Sequence, residues 1–526
     1  MAQRFWRPVI VTENPTSGRS YRLHDDRNRQ WFSHYSEDGA GFGYLKWTCQ
    51  RPVGFDWDDI GYGFPVTMRK GPFKILFDGQ ITKIKESGGM GSQGSIEIWA
   101  LGWVHTASAD IYNYVYAETR VTRWVVTEDV SGSLRPDRFD VRLSGDDGIY
   151  AQPRRGIDYE ADDYVRARYT FGFSEGAARI TGSYDVAFPN SWPGKLEILD
   201  SSGSQWSKTA TESGTFDVTV SGSYVEVRFY CTAAGESTAD DGDVYGKLTD
   251  VTVFSENVTT LDGKVIADDI AIYLNGNDHG ISNDVTLIQS PGRQLSPAYF
   301  DTDMTPAEVL SWCCQFGDSD GDPVVWGVDF DENRRMFLEP VDLTTIKYVV
   351  SPIQAQLERS GDWGESAQVV YAVYSDEGGE TQRTADSSDS DMIDRLGGYY
   401  IRRALKISGT TDADRIAEAV ALWLAENAEP KSAGSFKVIG GVSKPTGLFV
   451  PYDEIVPGGG LVQVREWRAR EATFTGTDYR DNETTFPLAG VKVNEDDMSV
   501  ELIARGEDSA FGRYMAVIQE LIGAQG

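Results

Sequence analysis

Apolar and polar residues alternate along much of this chain, and glycine-rich turns separate the alternating runs. In Ser95–Trp103, Ile96, Ile98 and Ala100 would share one face of an extended segment. A glycine-containing turn at 88–91 separates this run from the one beginning at Phe77. The N-terminal pattern therefore predicts short antiparallel strands in a small barrel or sandwich.

A second region of strict alternation begins near residue 145. Val165, Ala167 and Tyr169 would share a face opposite Arg166 and Arg168. Further on, Thr215–Val220 and Tyr224–Tyr230 alternate around a three-residue loop, which predicts a β-hairpin. This region is typical of a β-sandwich.

Helical signals come later in the chain. Thr305 and Glu308 form a capping box with Pro306 in the first helical position, which predicts a helix ending before Gly317. A second apolar stripe predicts a helix over 412–427. The polar tract 376–394 shows no apolar period and is predicted to be a mobile loop.

These patterns predict a mainly β protein with minor α structure. It would contain two small β-barrel domains, an inserted β-sandwich and a small α+β region. The predicted divisions are a first barrel-type domain over 1–144, with 258–290 as a candidate completion, a jelly-roll sandwich over 145–257, an α+β connecting domain over 258–345, a second barrel-type domain over 346–510 with its helix at 412–427, and a C-terminal helix over 511–526.

The amino-acid composition excludes or disfavours several classes of protein. The 526 residues are 40% hydrophobic and 12% aromatic, which excludes global disorder. With 49 basic and 81 acidic residues, the net charge of −32 repels phosphate backbones and disfavours generic nucleic-acid binding. No apolar run reaches the length of a signal peptide or membrane span, so we expect cytoplasmic synthesis, no secretion and no membrane-spanning segment.

Catalytic and metal motifs are missing from the sequence. The four histidines lack helical metal-site spacing, and the four cysteines lack a CxxC pair. There is no GxSxG elbow, and no GxGxxG or P-loop motif lies between a strand and a helix. We therefore expect a protein that is not an enzyme and has no cofactor.

One acidic turn has a calcium-like spacing. Asp318, Asp320 and Asp322 could converge their oxygens on Ca²⁺. The EF-hand pattern then fails, because Pro323 replaces the required glycine and Asp329 replaces the final glutamate. The alternative is a solvated turn after a helix.

Four aromatic residues in the sandwich are candidates for contact with glycans, because flat rings suit sugar faces. Tyr224 and Tyr230 would lie on the face opposite Val225 and Val227. The alternative is ordinary sandwich packing. The four candidates are Trp192, Trp206, Tyr224 and Tyr230.

Two family resemblances extend this interpretation. Through the strands at Tyr164–Phe173, Gly214–Val220, Tyr224–Phe229 and Leu248–Val253, region 145–257 resembles jelly-roll carbohydrate-binding modules. The rest resembles the hub, or tail-tip, protein of long-tailed bacteriophages. The motifs that carry this second resemblance are Phe77–Ile81, its partner Ile98–Gly102, the capped mid-chain helix, Asp414–Ala419 and Val456–Val464.

The hub resemblance implies a location and a set of partners. Such hubs are trimers whose two barrels per subunit form a pseudo-sixfold ring at the virion tail tip, joining the sixfold tail tube to a threefold tip. Implied partners are distal tail proteins, tail-tip or fibre proteins and the tape-measure protein, with DNA passing through the lumen without specific binding. Host surface glycans are candidate partners of the sandwich. Alternatives are a distal tail ring protein, a receptor-binding protein and, less favoured, a glycan depolymerase.

Overall fold

A computed structural model gives the fold of the chain. It describes residues 8–23, 26–50, 60–72, 74–87, 95–116, 119–120, 139–144, 148–154, 158–159, 163–172, 176–188, 194–232, 235–236, 244–255, 261–295, 300, 304–350, 355–361, 367–375, 381–395, 397–407, 413–428, 432–464 and 485–504. The protein is mainly β with few helices, as the alternation predicts. No helix within these ranges is both long and apolar enough to cross a bilayer. The predicted C-terminal helix lies outside the described residues.

Seven strands form the N-terminal part of the largest sheet. They are β1 Val9–Glu13, β2 Ser20–Leu23, β3 Asp26–Ser36, β4 Gly39–Gln50, β5 Pro65–Lys70, β6 Lys74–Ser87 and β7 Ser95–Gly102. The predicted alternation in β7 is confirmed, because Ile96, Ile98 and Ala100 are buried in one core. A 3-10 helix, Trp103–Ser108, follows.

Two glycines allow β4, β6 and β7 to pack closely. Gly79 and Gly102 are paired across β6 and β7. A Cβ atom on Gly79 would collide with the carbonyl oxygen of Leu101, and one on Gly102 would collide with that of Phe42. The glycine of the Phe77–Ile81 motif is therefore required by backbone proximity.

The sandwich contains thirteen described strands. They are β8 Tyr114–Val115, β9 Thr119–Arg120, β10 Phe139–Ser144, β11 Gly148–Pro153, β12 Asp158–Tyr159, β13 Tyr164–Phe171, β14 Ala177–Ala187, β15 Gly194–Asp200, β16 Gly203–Lys208, β17 Glu212–Thr219, β18 Tyr224–Cys231, β19 Gly235–Glu236 and β20 Tyr245–Ser255. One sheet has the order β10-β11-β20-β14-β17 with β9 beside β20, the other has the order β16-β15-β18-β13-β8, and β12 pairs with β19.

The predicted hairpin between β17 and β18 is wrong. β17 pairs with β14, whereas β18 pairs with β13 and β15 in the other sheet. Phe216 and Val218 of β17 share a core with Val225 and Val227 of β18. The two strands therefore face each other across the core, and the short loop carries the chain between sheets.

A small α+β region follows the sandwich. Its elements are α1 Gly263–Gly276, β21 Ser282–Ile288, α2 Pro306–Cys314, β22 Val324–Val328 and β23 Arg335–Pro340. The predicted capping box of α2 is confirmed, since Thr305 accepts from the Glu308 amide and Glu308 accepts from the Thr305 amide. The strands form a sheet in the order β21-β23-β22.

The C-terminal part adds a second set of barrel-type strands. Its elements are β24 Ile346–Val350, β25 Ala355–Gly361, β26 Val369–Ser375, β27 Thr381–Arg383, β28 Ser387–Ser388, α3 Ser390–Arg395, β29 Arg402–Lys406, α4 Ala413–Asn427, β30 Ser432–Ile439, β31 Gly441–Ser443, β32 Phe449–Pro451, β33 Leu461–Val464, β34 Thr485–Asn494 and β35 Ser499–Ala504. The predicted helix at 412–427 is confirmed as α4. The mobile-loop prediction for 376–394 is wrong for its described part, which contains β27, β28 and most of α3.

The seven N-terminal strands and β24, β25 and β30–β35 of the second set belong to one 15-stranded sheet, whereas β26–β29 form a separate four-stranded sheet. The connection is the antiparallel pairing of β3 with β34, in which Trp31 lies opposite Val493. Arg29, at one side of this seam, is buried and forms an ion pair of 3.2 Å with Glu495. Lys70 of β5 also contacts Asp453 at 2.7 Å and Glu454 at 3.0 Å, which ties β5 to the 3-10 helix after β32.

Candidate functional site

The outer face of the five-stranded sandwich sheet carries a cluster of charged and aromatic side chains. Alternation in β13 and β18 directs Val165 and Val227 into the core and leaves the intervening residues on the opposite face. The strand register places Arg166 opposite Arg228, and Arg168 opposite Glu226. We call this surface the arginine face and define it by Tyr164, Arg166, Arg168, Lys195, Glu197, Tyr224, Glu226 and Arg228.

Glu226 is the centre of the arginine face. Its side chain is 1% exposed and accepts a hydrogen bond of 3.3 Å from Arg166. Arg228 donates a second hydrogen bond, and Arg168 lies 3.9 Å away. In the adjacent strand, Lys195 pairs with Glu197 at 2.6 Å. Three guanidinium groups thus share one buried carboxylate.

Two tyrosine rings support the arginines. The guanidinium carbon of Arg168 lies 3.9 Å from the ring centre of Tyr224, and that of Arg228 lies 4.5 Å from the ring of Tyr164. These are cation–π contacts. One side of the Tyr224 ring, which the sequence nominates for sugar stacking, is therefore covered by a guanidinium group.

Of the other three glycan candidates, Trp206 has a described side chain, and it does not share the face of Tyr224. Trp206 of β16 is paired with the core residue Ile198, so it faces the inside of the sandwich. Its ring packs 5.0 Å from Tyr184 and 5.5 Å from Phe216, between centroids. Tyr230 lies in β18 opposite Tyr164, and Trp192 lies outside the described residues. The sequence analysis did not nominate the arginines as site residues, although their alternation with valine and alanine was visible.

A second candidate surface lies at one end of the large sheet. Ile439, Leu448, Phe449 and Met498 are large apolar residues with more than half of their surface exposed. The Gly440 amide donates to the Met498 carbonyl at 2.9 Å, and Ile439 is paired with Ser499. We call these four residues the barrel-end patch.

The backbone of the barrel-end patch is unusual. A Cβ atom on Gly441 would lie 2.8 Å from the Phe449 ring, so this glycine lets the ring approach the β30–β31 connection. Met498 has a φ of +50°, in the left-handed region that favours glycine. An exposed apolar side chain in such a position is not required by local folding.

Asp318 organises the calcium-like turn. Its Oδ1 accepts backbone hydrogen bonds from Asp320 at 2.9 Å and Asp322 at 2.8 Å. The Arg293 side chain also donates to the Asp318 carbonyl oxygen at 3.0 Å. Across the described part of the chain, no group of three His, Cys, Asp or Glu residues is arranged to hold a metal ion. The calcium assignment of Asp318, Asp320 and Asp322 stays a prediction.

Two histidines form a stacked pair beside the large sheet. The rings of His34 and His105 lie 5.5 Å apart, and His34 Nδ1 is 2.9 Å from the Gly39 carbonyl oxygen. Burial lowers the pKa of His34 to about 4, although the Gly39 hydrogen bond opposes this shift. Burial and the neighbouring His34 lower the pKa of His105 to about 3. Both rings are therefore neutral at pH 7.

Comparisons with known proteins give structural similarities only. No protein-family model and no curated protein match the chain. Solved structures that are similar over nearly the whole chain include the 43 kDa tail protein of prophage MuSo2 from Shewanella oneidensis, the prophage tail protein gp18 from Listeria monocytogenes EGD-e and a tail protein from Neisseria meningitidis MC58.

These similarities are distant. The Shewanella protein is 12% identical with a TM-score of 0.44, and the match covers 95% of this chain and 99% of that one. The Listeria protein is 8% identical with a TM-score of 0.41, covering 98% and 99%. The Neisseria protein is 9% identical with a TM-score of 0.42, covering 95% and 97%. At this level they do not assign the chain to a family.

Proposed function

We propose that this chain is a structural subunit of a bacteriophage tail tip: a trimeric hub that joins a sixfold tail tube to a threefold tip and forms a conduit for DNA. The observation that carries the proposal is the arrangement of the 15-stranded sheet, in which two sets of barrel-type strands are connected and each terminal strand of the order has a single neighbour among the described strands. The resemblance of the Phe77–Ile81 and Val456–Val464 motifs to hub proteins supplies the family context.

The two ends of the strand order favour assembly into a ring. Among the described strands, β2 pairs with β1 alone and β32 with β31 alone. Contact between the β32 end of one copy and the β2 end of the next would join different surfaces. Such head-to-tail contacts close into rings when the rotation between copies allows it. Partner strands or side chains would also cover the open edges.

The barrel-end patch supports the same interpretation. Phe449 lies within β32 and is 55% exposed. A cluster of exposed apolar residues beside an open edge is typical of a protein interface. We infer that a second copy of the chain covers this patch in the assembled ring.

The charge of the chain suits a conduit for DNA. A subunit with a net charge of −32 repels the phosphate backbone and does not retain it by Coulomb attraction. The proposed neighbours are distal tail proteins on the tube side, fibre or tip proteins on the other side and the tape-measure protein in the lumen. The role proposed is structural and not catalytic.

The test is the rotational symmetry of the assembled protein. We would image the purified full chain, alone and with the neighbouring tail proteins of the same phage genome, by electron microscopy. Threefold rings whose subunits each contribute two barrel-like densities are expected. Sixfold rings would overturn the hub in favour of a distal tail ring, and a monomer under both conditions would overturn the ring altogether.

A further inference from the structure

An apolar groove lies between α4 and β29 on one side and α2 and β22 on the other. Its volume is about 280 Å³, and its lining is apolar except for Glu37, Gln315 and Lys406. We call it the α4 groove and define it by Cys314, Val324, Leu405, Ile407, Leu422 and Trp423.

The α4 groove suits the side chains of one helix face. Leu405, Leu422 and Trp423 are half-buried, so apolar surface in the groove remains in contact with water. Removing such surface from water is favourable. A helix with its side chains is about 10–12 Å across, so a cavity of this size admits the residues of one face and not the whole element. The expected occupant is therefore the apolar stripe of an amphipathic helix.

Segment 511–526, for which the sequence predicts a helix, lies outside the described residues and carries such a stripe. Arg513 and Glu520 would lie on the opposite, polar face of the helix. A helix of this length is marginal in water unless its apolar face packs against another surface. The residues of the apolar face are Phe511, Met515, Ile518 and Ile522.

The strand register brings the chain after β35 close to the α4 groove. His34 of β3 is opposite Gly490 of β34, which is opposite Ile503 of β35. Since neighbouring strands are about 4.8 Å apart, β35 lies about 10 Å from β3. Both strands are antiparallel to β34 and run to the same edge of the sheet, where β3 ends beside Glu37 of the groove lining. The chain therefore leaves β35 at the edge on which the groove opens.

The linker 505–510 is long enough to make the connection. Six extended residues span up to about 20 Å, which exceeds the spacing between the ends of β3 and β35. A short tether also gives its ligand an effective concentration in the millimolar range, so weak intrinsic affinity suffices for binding within one copy. A second copy would have to compete with this tethered segment.

We propose that segment 511–526 binds in the α4 groove of the same copy, as a helix whose apolar face covers Leu405, Leu422 and Trp423. The inference goes beyond the proposed hub function and does not depend on it. Because β29 belongs to the separate four-stranded sheet, the contact would tie that sheet and α4 to the end of the large sheet.

Hydrogen exchange of the full chain, followed by mass spectrometry of its peptic fragments, tests the contact from both sides. In the wild type, the amides of 511–526 should exchange at least tenfold more slowly than those of a synthetic peptide of the same sequence. Ile518→Gln should remove this protection and should also speed exchange in fragments that cover β29 and α4. The matched control is Glu520→Gln, which introduces the same residue on the polar face and should change neither.

Variants in the groove test the other partner. Leu422→Gln should speed exchange of 511–526 about tenfold, because it places a polar group where the apolar face packs. Leu343→Gln is the control, since Leu343 is 39% exposed and lies outside the groove. Circular dichroism and the melting temperature verify folding, and Leu422→Ala, which adds no polar atom, provides a second variant with an expected smaller effect.

Three results would overturn the inference. The first is exchange of 511–526 in the wild type at the rate of the free peptide, which would leave the groove to a different protein. The second is equal exchange of the segment in the Leu422 and Leu343 variants, which would place it elsewhere. The third is loss of protection on dilution, since binding within one copy does not depend on protein concentration; this result would assign the groove to a second copy.

Discussion

Tyr116 donates a hydrogen bond of 3.0 Å to the carboxylate of Asp269, and neither side chain is more than 2% exposed. Tyr116 follows β8, the strand that joins the sandwich, whereas Asp269 lies in α1 of the α+β region. Tyr112 extends the network, with its hydroxyl 2.6 Å from that of Tyr116. The sandwich is therefore connected to the rest of the molecule by a buried polar contact as well as by the chain.

Tyr116→Phe should destabilise this junction. The substitution removes the hydroxyl between Tyr112 and Asp269 and leaves buried polar atoms with fewer partners, a loss of about 1–3 kcal/mol. The measurement is the melting temperature by calorimetry. Tyr399→Phe is the control, since Tyr399 is 63% exposed, and it should leave the melting temperature unchanged. Equal effects of the two substitutions would contradict a structural role for the Tyr116 hydroxyl.

Gly79→Ala should destabilise the large sheet by about 2 kcal/mol or more, because the new methyl group must displace the backbone at Leu101. Urea unfolding followed by tryptophan fluorescence measures the change. Gly276→Ala, at the end of α1, is the control because no atom lies within 4 Å of a Cβ added there. That variant should be neutral or up to about 1 kcal/mol more stable. A neutral Gly79→Ala would show that the β6–β7 spacing is adjustable.

Acidification should destabilise the fold through His34. Its pKa is lowered to about 4 from the ordinary value of 6.5, so only the unfolded chain takes up this proton between those pH values. The contribution to stability is complete above pH 6.5, falls as the pH drops to about 4 and amounts to roughly 3 kcal/mol. Melting temperatures of the wild type and of His34→Gln across this range measure it.

The His34→Gln variant should show a smaller decline in melting temperature between pH 6.5 and pH 4 than the wild type. Parallel curves for the wild type and His34→Gln would mean that other groups dominate the acid response.

Lys70→Gln should weaken the contact between β5 and the C-terminal strands. Burial opposes the charge of Lys70, but hydrogen bonds to Asp453 and Glu454 raise its pKa, so the charged form is favoured. Its removal leaves the buried Asp453 without this cation, at a loss of about 1–3 kcal/mol. The neighbouring Arg69, paired with Glu332 on the surface, is the control, and Arg69→Gln should change the free energy of unfolding by less than about 0.5 kcal/mol. Equal changes in urea unfolding would argue against a special role for Lys70.

The sequence predicts individual elements better than their pairing. The capping box of α2 and the apolar stripe of α4 are local signals, and both helices are present as predicted. Helix α1 was missed although Asp262 caps it and Ile266, Ile270 and Leu274 are buried at helical spacing. The false β17–β18 hairpin has a physical cause, since alternation identifies strands but does not say whether neighbours lie side by side or face to face.

Contacts of charged side chains account for further differences between the predicted and the observed structure. The tract around 381–395 has no apolar period, yet Arg383 and Arg402 both pair with Asp386, and Arg383 lies 3.8 Å from the Tyr371 ring centre. In the candidate site, the alternation of apolar and polar residues in β13 and β18 was predictable. The position of Arg168 over Tyr224 was not, because it depends on the strand register.

Met498 offers a final test of the proposed ring. A glycine at this position would suit the backbone but would remove the apolar side chain, so the substitution should preserve stability and weaken assembly. With a φ of +50°, the backbone favours glycine, so Met498→Gly should leave the free energy of unfolding unchanged or raise it by up to about 1 kcal/mol. The same substitution removes an exposed apolar side chain from the barrel-end patch and should shift rings towards monomers in mass photometry.

Asp278→Gly is the matched control, since Asp278 also has a positive φ, of 57°, but is a charged residue outside the patch. It should relieve similar backbone strain and leave assembly intact. If both variants assemble like the wild type, the barrel-end patch is not the contact between copies; if both dissociate, the effect belongs to the backbone and not to the apolar surface.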